Sequence, residues 1–279
     1  MAQLTLILGV LATVVYLLDG FRFLLNEWRN WRNKGKWVML VSLSIIPGLM
    51  PALSEAACGG SSPNLVALST SYTDVSDCAT ASVDGDTITL PGGTSTWVST
   101  LTITDKSITL TGQTNSPTDA QCDAASQSTH TCIKGTVPLL RMTTKVTGGT
   151  TRIAKMNWRT LAGATGCSTY STGTVSLIGY SKTVRVDHST ISMQGTCGGL
   201  VFGDAVAGVA DHNTFTMSTF VHATVTVHGR WSGAGGPGYG DESWASASTA
   251  GMADNMFFED NTFSSSAGVH TFYSDDFVG

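Results

Sequence analysis

Residues 186–191 read VDHSTI, residues 210–215 read ADHNTF and residues 258–263 read FEDNTF. The copies begin at positions 186, 210 and 258, so the second interval is twice the first. A period in the twenties is the size of one rung of a solenoid, in which equivalent residues of successive rungs stack. The repeat therefore predicts a parallel β-helix, an all-β solenoid with rungs of about 24 residues and three short strands in each rung.

The repeat also predicts which side chains stack. An interior column, with one strand spacing between members, is expected for the last residue of each copy: Ile191, Phe215 and Phe263. A tight bend in the left-handed conformation, which Asn tolerates, is expected for the fourth residue: Ser189, Asn213 and Asn261. Residues 153–158, IAKMNW, fit an earlier and degenerate rung. The doubled interval then holds one rung plus an excursion.

Short apolar fragments elsewhere agree with an all-β chain. They have apolar residues two positions apart, are cut by Gly, Pro, Asn or Asp, and lie at residues 88–90, 101–103, 108–110, 139–142 and 153–156. Such fragments alone fit a solenoid, a sandwich or a barrel, and the repeat favours the solenoid. Residues 72–82 fit a short helix, so we expect residues 58–83 to form an N-terminal cap and residues 84–279 the β-helix. The apolar end of the chain predicts a solenoid that continues in a longer protein.

Residues 1–57 differ in composition from the rest of the chain. An apolar stretch at 4–18 is followed by five basic residues between 22 and 36, and a second apolar run at 37–53 ends in small residues. Basic residues, an apolar core and small residues before a cleavage point describe a secretory signal peptide. We expect residues 1–57 to be a membrane or signal segment with two apolar runs. The rest of the protein is expected to be secreted, or exposed at the cell surface or in the periplasm.

All the cysteines lie in the part expected to be exported: Cys58, Cys78, Cys122, Cys132, Cys167 and Cys197. An even number of cysteines in an exported chain predicts disulfides, and the simplest pairing joins neighbours along the chain. A zinc site is the alternative, but the chain has no C-x-x-C motif and no neighbouring His pair with ligand spacing.

The charge distribution limits the partners. The net charge is -5, and from Cys58 onward 10 basic residues face 17 acidic ones. Nucleic-acid binding needs clustered Lys and Arg, so this composition excludes a nucleic-acid-binding surface. An acidic polysaccharide would need a bridging cation or a local basic spot, and we expect membrane contact only through the N-terminal segment.

One stretch resembles a known group of proteins. Residues 84–94, DGDTITLPGGT, with the strands at 101–103 and 108–112, resemble the first rungs of secreted right-handed parallel β-helix proteins of the pectin-lyase-like superfamily. The resemblance covers about residues 74–279 and implies a right-handed solenoid. This fold carries lyases, hydrolases and adhesins, so the resemblance implies the fold more directly than an activity.

Residues 184–189, VRVDHS, resemble the Trp-Ile-Asp-His motif of pectate lyases within that superfamily. In those enzymes an Asp-Gly-Leu segment and a further Asp follow and supply calcium ligands. Here Gly198 replaces the first of these Asp residues, and the chain has no Arg-x-Pro-x-x-Arg segment like the one that supplies the lyase's catalytic arginine. The resemblance therefore implies the β-helix without the complete lyase site.

Three acidic residues occupy the same position of the repeat: Asp187, Asp211 and Glu259. Stacked carboxylates predict either a Ca²⁺ site or an acid–base pair, and the structural alternative is a solvated row repeated with the bend. His188 and His212 stack in the same way and are candidate catalytic residues, with a structural role as the alternative. Along the chain, the six histidines show no metal-ligand spacing.

The stretch 229–253, rich in Gly, Ser and Ala, predicts a long loop that leaves the solenoid. Arg230 is its candidate catalytic residue, and its candidate substrate-binding residues are Trp231, Tyr239, Asp241, Glu242 and Trp244. Aromatic faces pack against sugar rings, and Arg binds carboxylates. The alternative is that Trp231 and Trp244 anchor the loop to the solenoid wall.

Together these patterns predict an exported β-helix protein that engages extracellular or cell-wall polysaccharide. If the protein is an enzyme, the expected reaction is β-elimination of a uronic-acid glycan, ahead of glycoside hydrolysis, with Arg230, Asp187 and Asp211 as the reacting groups. The alternative is a non-catalytic carbohydrate-binding or adhesin-like surface module.

Overall fold

The computed structural model describes residues 58–124, 128–145, 149–167, 172–204, 206–218, 223–228, 256–266 and 272–275. The predicted N-terminal segment, residues 1–57, lies outside them. In the described part of the chain, no helix is long and apolar enough to cross a membrane. The described residues form three β-sheets and two short helices.

Sheet A has eight strands, in the spatial order β1 (Cys58–Ser61), β2 (Asn64–Ala67), β3 (Thr87–Thr89), β6 (Thr109–Thr111), β9 (Thr151–Ala154), β12 (Val184–Asp187), β15 (Gly208–Asp211) and β18 (Met256–Glu259). Sheet B has six, β4 (Gly93–Trp97), β7 (Thr131–Gly135), β10 (Asn157–Thr160), β13 (Thr190–Met193), β16 (Thr214–Met217) and β19 (Thr262–Ser265). Sheet C has six, β5 (Leu101–Thr104), β8 (Leu140–Thr144), β11 (Gly173–Gly179), β14 (Gly198–Asp204), β17 (Val225–His228) and β20 (Phe272–Asp275).

From β3 onward, consecutive strands enter sheets A, B and C in turn, so three strands make one rung. The strand pairs are parallel except for β1 with β2, which is antiparallel. Parallel neighbours need a long connection between them, and in most proteins that connection is a helix. Here the connection runs through the other two sheets. The all-β architecture with three stacked parallel sheets is compatible with the predicted parallel β-helix.

Inward-facing side chains fill the space between the sheets. In sheet B, Trp158 pairs with Ile191, Ile191 with Phe215, and Phe215 with Phe263. The rings of Phe215 and Phe263 stack with centroids 4.9 Å apart. The predicted interior column of the repeat is therefore confirmed.

The number of residues between equivalent positions of successive rungs varies. Val186 pairs with Ala210, and Ala210 pairs with Phe258, which lies twice as far along the chain. This doubled interval still spans a single rung, and its excess falls between β17 and β18, as predicted. Ile153 pairs with Val186 across an interval of intermediate length, so residues 153–158 do form an earlier rung.

Helix α1 (Tyr72–Ala81) closes the N-terminal end of the stack. It packs against β1, β2, β4 and β5 and therefore covers the first strands of all three sheets. Its N-cap Ser71 accepts a hydrogen bond from the backbone N–H of Asp74, and its buried face carries Val75, Cys78 and Ala79. The predicted helix is confirmed to within one residue.

Helix α2 (Asp119–Asp123) was not predicted. It begins with a capping box between Thr118 and Gln121 and contacts β4 and β10 of sheet B. The buried Arg159 donates through Nη1 to Asp123 Oδ2 over 2.8 Å. The hydrogen bonds from Arg159 lower the pKa of the Asp123 carboxyl to about 2, because they outweigh the opposite effect of its slight burial.

The described residues form three disulfides: Cys58–Cys78, Cys122–Cys132 and Cys167–Cys197. The sequential pairing expected from the sequence is thus confirmed. The first joins β1 to α1, and the second joins α2 to β7. Three disulfides indicate an oxidising environment, of the kind found outside the cytoplasm.

Candidate functional site

The turns between sheets A and B bring the repeated polar residues together. The four turns that follow β9, β12, β15 and β18 each begin with a non-glycine residue in the left-handed region: φ is 61° at Lys155, 50° at His188, 53° at His212 and 50° at Asp260. These four residues open successive turns, so their side chains form a row along one corner of the stack. Left-handed backbone is costly for such residues and persists only where surrounding contacts hold it.

Asparagines follow this row and form a ladder. Asn213 accepts a hydrogen bond from the Ser189 N–H through Oδ1 and donates through Nδ2 to the Val186 carbonyl, 2.8 Å away. Asn261 repeats the pattern one rung later, accepting from the Asn213 N–H and donating to the Ala210 carbonyl. The expectation that Ser189, Asn213 and Asn261 adopt the left-handed conformation is therefore wrong. The preceding residue makes the turn, and the amide bonds the backbone of the neighbouring rung.

Replacing Asn213 by Ala is expected to lower the free energy of unfolding by about 2–3 kcal/mol, because the buried Ser189 N–H and Val186 C=O lose their partner. Asn261→Ala is the matched control, with a smaller expected loss because Asn261 is only partly buried. Urea denaturation of both variants measures the difference. Equal losses for the two variants would show that the stability contributed by the asparagine hydrogen bonds does not depend on burial.

Asp187 is the most constrained carboxylate in this region. Its side chain is 0% exposed and accepts hydrogen bonds from Arg152, through Nε at 2.6 Å and through Nη2. His188 places Nδ1 3.0 Å from the second oxygen. Burial alone would raise the pKa of Asp187, but the hydrogen bonds from Arg152 and His188 outweigh it and hold the pKa below its usual value.

Asp211, one rung later, repeats this arrangement. Arg185 Nη2 donates to its Oδ2 over 2.8 Å, and His212 Nδ1 lies 3.0 Å from the same oxygen. In each case the arginine belongs to the preceding rung of sheet A. We call this set the Arg–Asp–His ladder: Arg152, Arg185, Asp187, His188, Asp211 and His212.

The predicted register of the acidic residues is confirmed: Asp187 pairs with Asp211, and Asp211 with Glu259. Their environments differ, because the two aspartates are buried and Glu259 is exposed. Within the described residues, no group of three or more His, Cys, Asp or Glu side chains is arranged to hold a metal ion. Because Arg152 binds both oxygens of Asp187, the structure does not support the predicted calcium site.

The ladder also argues against the predicted acid–base pair. A general base must reach the proton that it removes. Asp187 is enclosed and bound by Arg152, and its lowered pKa makes it a weaker base. These contacts agree better with a structural role, in which the acidic residues recur because the bend recurs, than with an acid–base pair. His188 and His212 are bonded to the preceding aspartates and keep one edge in contact with solvent.

A second site lies on the outer face of sheet C and was not predicted. A groove of about 480 Å³ is lined by Thr100, Thr102, Val137, Pro138, Arg141, Thr165, Gly166, Thr172 and Ser176. Thr102 pairs with Arg141, and Arg141 with Ser176, so three adjacent strands present polar side chains to it. Arg141 is exposed and forms no ion pair with the described residues. The sequence does indicate that Arg141 faces outward, because it stands between Leu140 and Met142, whose side chains face the interior.

The predicted loop site cannot be placed against either surface. Arg230, Trp231, Tyr239, Asp241, Glu242 and Trp244 lie outside the described residues. Their segment lies in the sequence between the end of β17 at His228 and the start of β18 at Met256. Of the predicted catalytic residues, the structure brings together Asp187, His188, Asp211 and His212, and the glycan-binding role of the loop stays a prediction.

Comparisons of the chain with protein-family models, with curated proteins and with solved structures found no match.

Proposed function

We propose that this chain is an exported right-handed parallel β-helix protein, of the pectin-lyase-like kind, that binds extracellular or cell-wall polysaccharide. The observation that carries the proposal is the groove on sheet C. It combines hydroxyl side chains from neighbouring strands with one exposed guanidinium group.

The lining of the groove suits a sugar chain. Thr100, Thr102 and Thr165 offer hydroxyl groups that donate to and accept from sugar hydroxyls. Val137 and Pro138 supply an apolar patch beside them. The volume of about 480 Å³ lies within the range typical of small-molecule sites, about 300–1,000 Å³.

Arg141 supplies the local basic spot that an acidic glycan requires on an acidic protein. A guanidinium group can hold a carboxylate through two parallel hydrogen bonds. The arginines of sheet A, Arg152 and Arg185, are already bound to Asp187 and Asp211. Among the arginines that the structure describes, Arg141 is therefore the one best placed to select acidic over neutral polysaccharide.

The contacts support binding better than catalysis. A lyase needs a base beside the group that neutralises the substrate carboxylate. The predicted bases, Asp187 and Asp211, lie on sheet A in ion pairs, whereas Arg141 lies on sheet C. The non-catalytic carbohydrate-binding or adhesin-like module is therefore the function that we propose.

Export is supported by two observations. Three disulfides fit an oxidising compartment, and the sequence before Cys58 has the pattern of a signal peptide. We propose that the β-helix is secreted or displayed at the cell surface.

Replacing Arg141 by Met is expected to weaken binding of polygalacturonate by about 10- to 100-fold, the range for losing a hydrogen bond to a charged group. Binding of a neutral glucan should change little. Isothermal titration calorimetry measures both. Lys155→Asn is the matched control, because it removes a cation at the sheet A corner, where Asn tolerates the φ of 61°.

A second variant, Thr102→Trp, fills the groove without changing its charge and should abolish binding of both polysaccharides. Binding that survives Thr102→Trp, or that Lys155→Asn weakens as much as Arg141→Met, would place the glycan site elsewhere and contradict the proposal.

A further inference from the structure

One wall of the sheet C groove is a connection between strands rather than a strand. The connections from sheet B to sheet C are short in three of the rungs, where they cover residues 98–100, 136–139 and 194–197, but the one after β10 covers residues 161–172. Thr165, Gly166 and Thr172 of this long connection line the groove. We call residues 161–167 the wall loop, because their position sets the shape of the groove on that side.

The wall loop is tied to the preceding rung by its backbone. The Leu161 N–H donates to the Gly135 carbonyl over 2.8 Å, and the Thr165 N–H donates to the Thr136 carbonyl over 2.9 Å. The second of these bonds holds a residue that lines the groove directly.

The following rung holds the wall loop through a disulfide. Cys167, at the end of the loop, is bonded to Cys197 in the corner formed by residues 194–197. Ala164 is buried with this disulfide in a small cluster that is separate from the main core. Thr196 Oγ1 adds a hydrogen bond to the Ala164 carbonyl over 3.3 Å. A small core of its own therefore joins the wall loop to the next rung.

Gly195 allows these two corners to pack backbone against backbone. A Cβ atom at this position would lie 2.5 Å from the Leu161 carbonyl oxygen and 2.7 Å from the Ala164 Cβ. Both distances are shorter than van der Waals contact, so the close approach requires glycine. The wall loop is thus seated on the next rung by a disulfide, a hydrogen bond and direct backbone contact.

We propose that the Cys167–Cys197 disulfide positions the glycan groove, by fixing the wall loop in the conformation that receives an acidic polysaccharide. The inference rests on the function proposed for the groove. The strands on either side of the disulfide are already paired, β10 with β13 and β11 with β14. The disulfide therefore adds little to the stacking of these rungs, and its main effect falls on the wall loop.

The expected benefit is in conformational entropy. A long connection that is free to move must be ordered when a ligand binds, and that cost is subtracted from the affinity. The apparent dissociation constant rises in proportion as the fraction of molecules with a correctly placed wall falls. The disulfide removes this cost, because it orders the wall before the polysaccharide arrives.

Replacing Cys167 and Cys197 together by Ser is expected to weaken binding of polygalacturonate by at least about five-fold, as fewer molecules hold the wall in place. The matched control replaces Cys58 and Cys78 by Ser. That disulfide spans 20 residues against 30, so the two losses of stability should be similar, but it holds the N-terminal cap and should leave the affinity unchanged. Isothermal titration calorimetry, at a temperature where both variants are folded, measures both affinities.

Amide hydrogen exchange separates a loosened wall from a loosened fold. In the variant without Cys167–Cys197, the Thr165 amide should exchange faster, while the amides of β10 and β13 should keep their protection.

A second variant leaves the disulfide in place. Gly195→Ala forces Leu161 and Ala164 away from the next rung and should also weaken binding of polygalacturonate. Gly59→Ala is its control, because a Cβ at Gly59 would meet the Val66 carbonyl oxygen at an ordinary contact distance of 3.6 Å.

Several results would overturn the inference. It is wrong if the variant without Cys167–Cys197 binds polygalacturonate as tightly as the unmodified protein, or if Gly195→Ala leaves the affinity unchanged. It is also wrong if loss of Cys58–Cys78 weakens binding equally, or if the variant without Cys167–Cys197 does not fold, because the role of the disulfide would then be structural. Absence of binding by the unmodified protein would instead refute the proposed function, and this inference with it.

Discussion

Replacing Phe215 by Ala is expected to lower the free energy of unfolding by about 3–5 kcal/mol, the range for truncating a buried Phe. Phe215 is fully buried and lies between Ile191 and Phe263 in the interior column of sheet B. Removal of its ring leaves a cavity with rungs on both sides. Those rungs cannot close over it, because their spacing is fixed by backbone hydrogen bonds.

Equilibrium urea denaturation measures this loss. Phe263→Ala should cost less, because Phe263 is only partly buried at the last described rung of sheet B. Thr102→Ala, on the exposed face of sheet C, should stay within about 0.5 kcal/mol of the unmodified protein. If Phe215→Ala cost no more than Thr102→Ala, the interior column would be disproved.

Replacing Arg152 by Met is expected to cost about 3 kcal/mol, because it leaves the carboxylate of Asp187 buried without its main partner. The expected loss is at the lower end of the range for such pairs, since Arg185 Nε lies 3.5 Å from Asp187 and compensates in part. Asp187→Asn should cost less, because Arg152 is 37% exposed and can turn to water. Arg141→Met is the matched control and should change stability little.

The effect of Arg152→Met should depend on pH in a defined direction. The folded-state pKa of Asp187 lies below the unfolded value, so the pair stabilises the protein above about pH 4. That contribution is lost as the pH falls through the folded-state pKa. The difference between Arg152→Met and the unmodified protein should therefore shrink in acid, and a difference that grew below pH 4 would contradict the assignment.

The sequence was sufficient for the parts of the fold that repeat with a constant interval. The copies ending at Ile191, Phe215 and Phe263 have the same number of residues in each turn, so their stacking could be inferred from spacing alone. The disulfides followed from neighbours along the chain, and α1 from its apolar face. Each of these depends on local sequence or on a strict period.

Features with irregular intervals were missed. Arg152 and Asp187 lie on neighbouring rungs whose interval is longer than the period of the repeat, so that period does not link the two residues. Strand β4 reads GTSTW and buries only Trp97 fully, so its alternation is too weak to recognise. The groove on sheet C joins side chains from several rungs, and its lining could be assembled only once the register was known.

The position of the left-handed residue was mispredicted for a related reason. Asn is common in left-handed turns, so its repetition at 213 and 261 suggested that role. In the structure the amide group of each Asn instead donates a hydrogen bond to a backbone carbonyl of the neighbouring rung. The choice between these two roles depends on contacts between rungs, which the local sequence does not contain.

The measurement that tests the central claim most directly is a crystallographic determination of the Asp187–Asp211 pair. The parallel stack predicts Cα atoms about 4.8 Å apart on adjacent strands that run in the same direction, with Glu259 next in line beyond Asp211. An antiparallel pairing of these strands, or their placement in different sheets, would contradict the stacked fold and with it the sheet C groove.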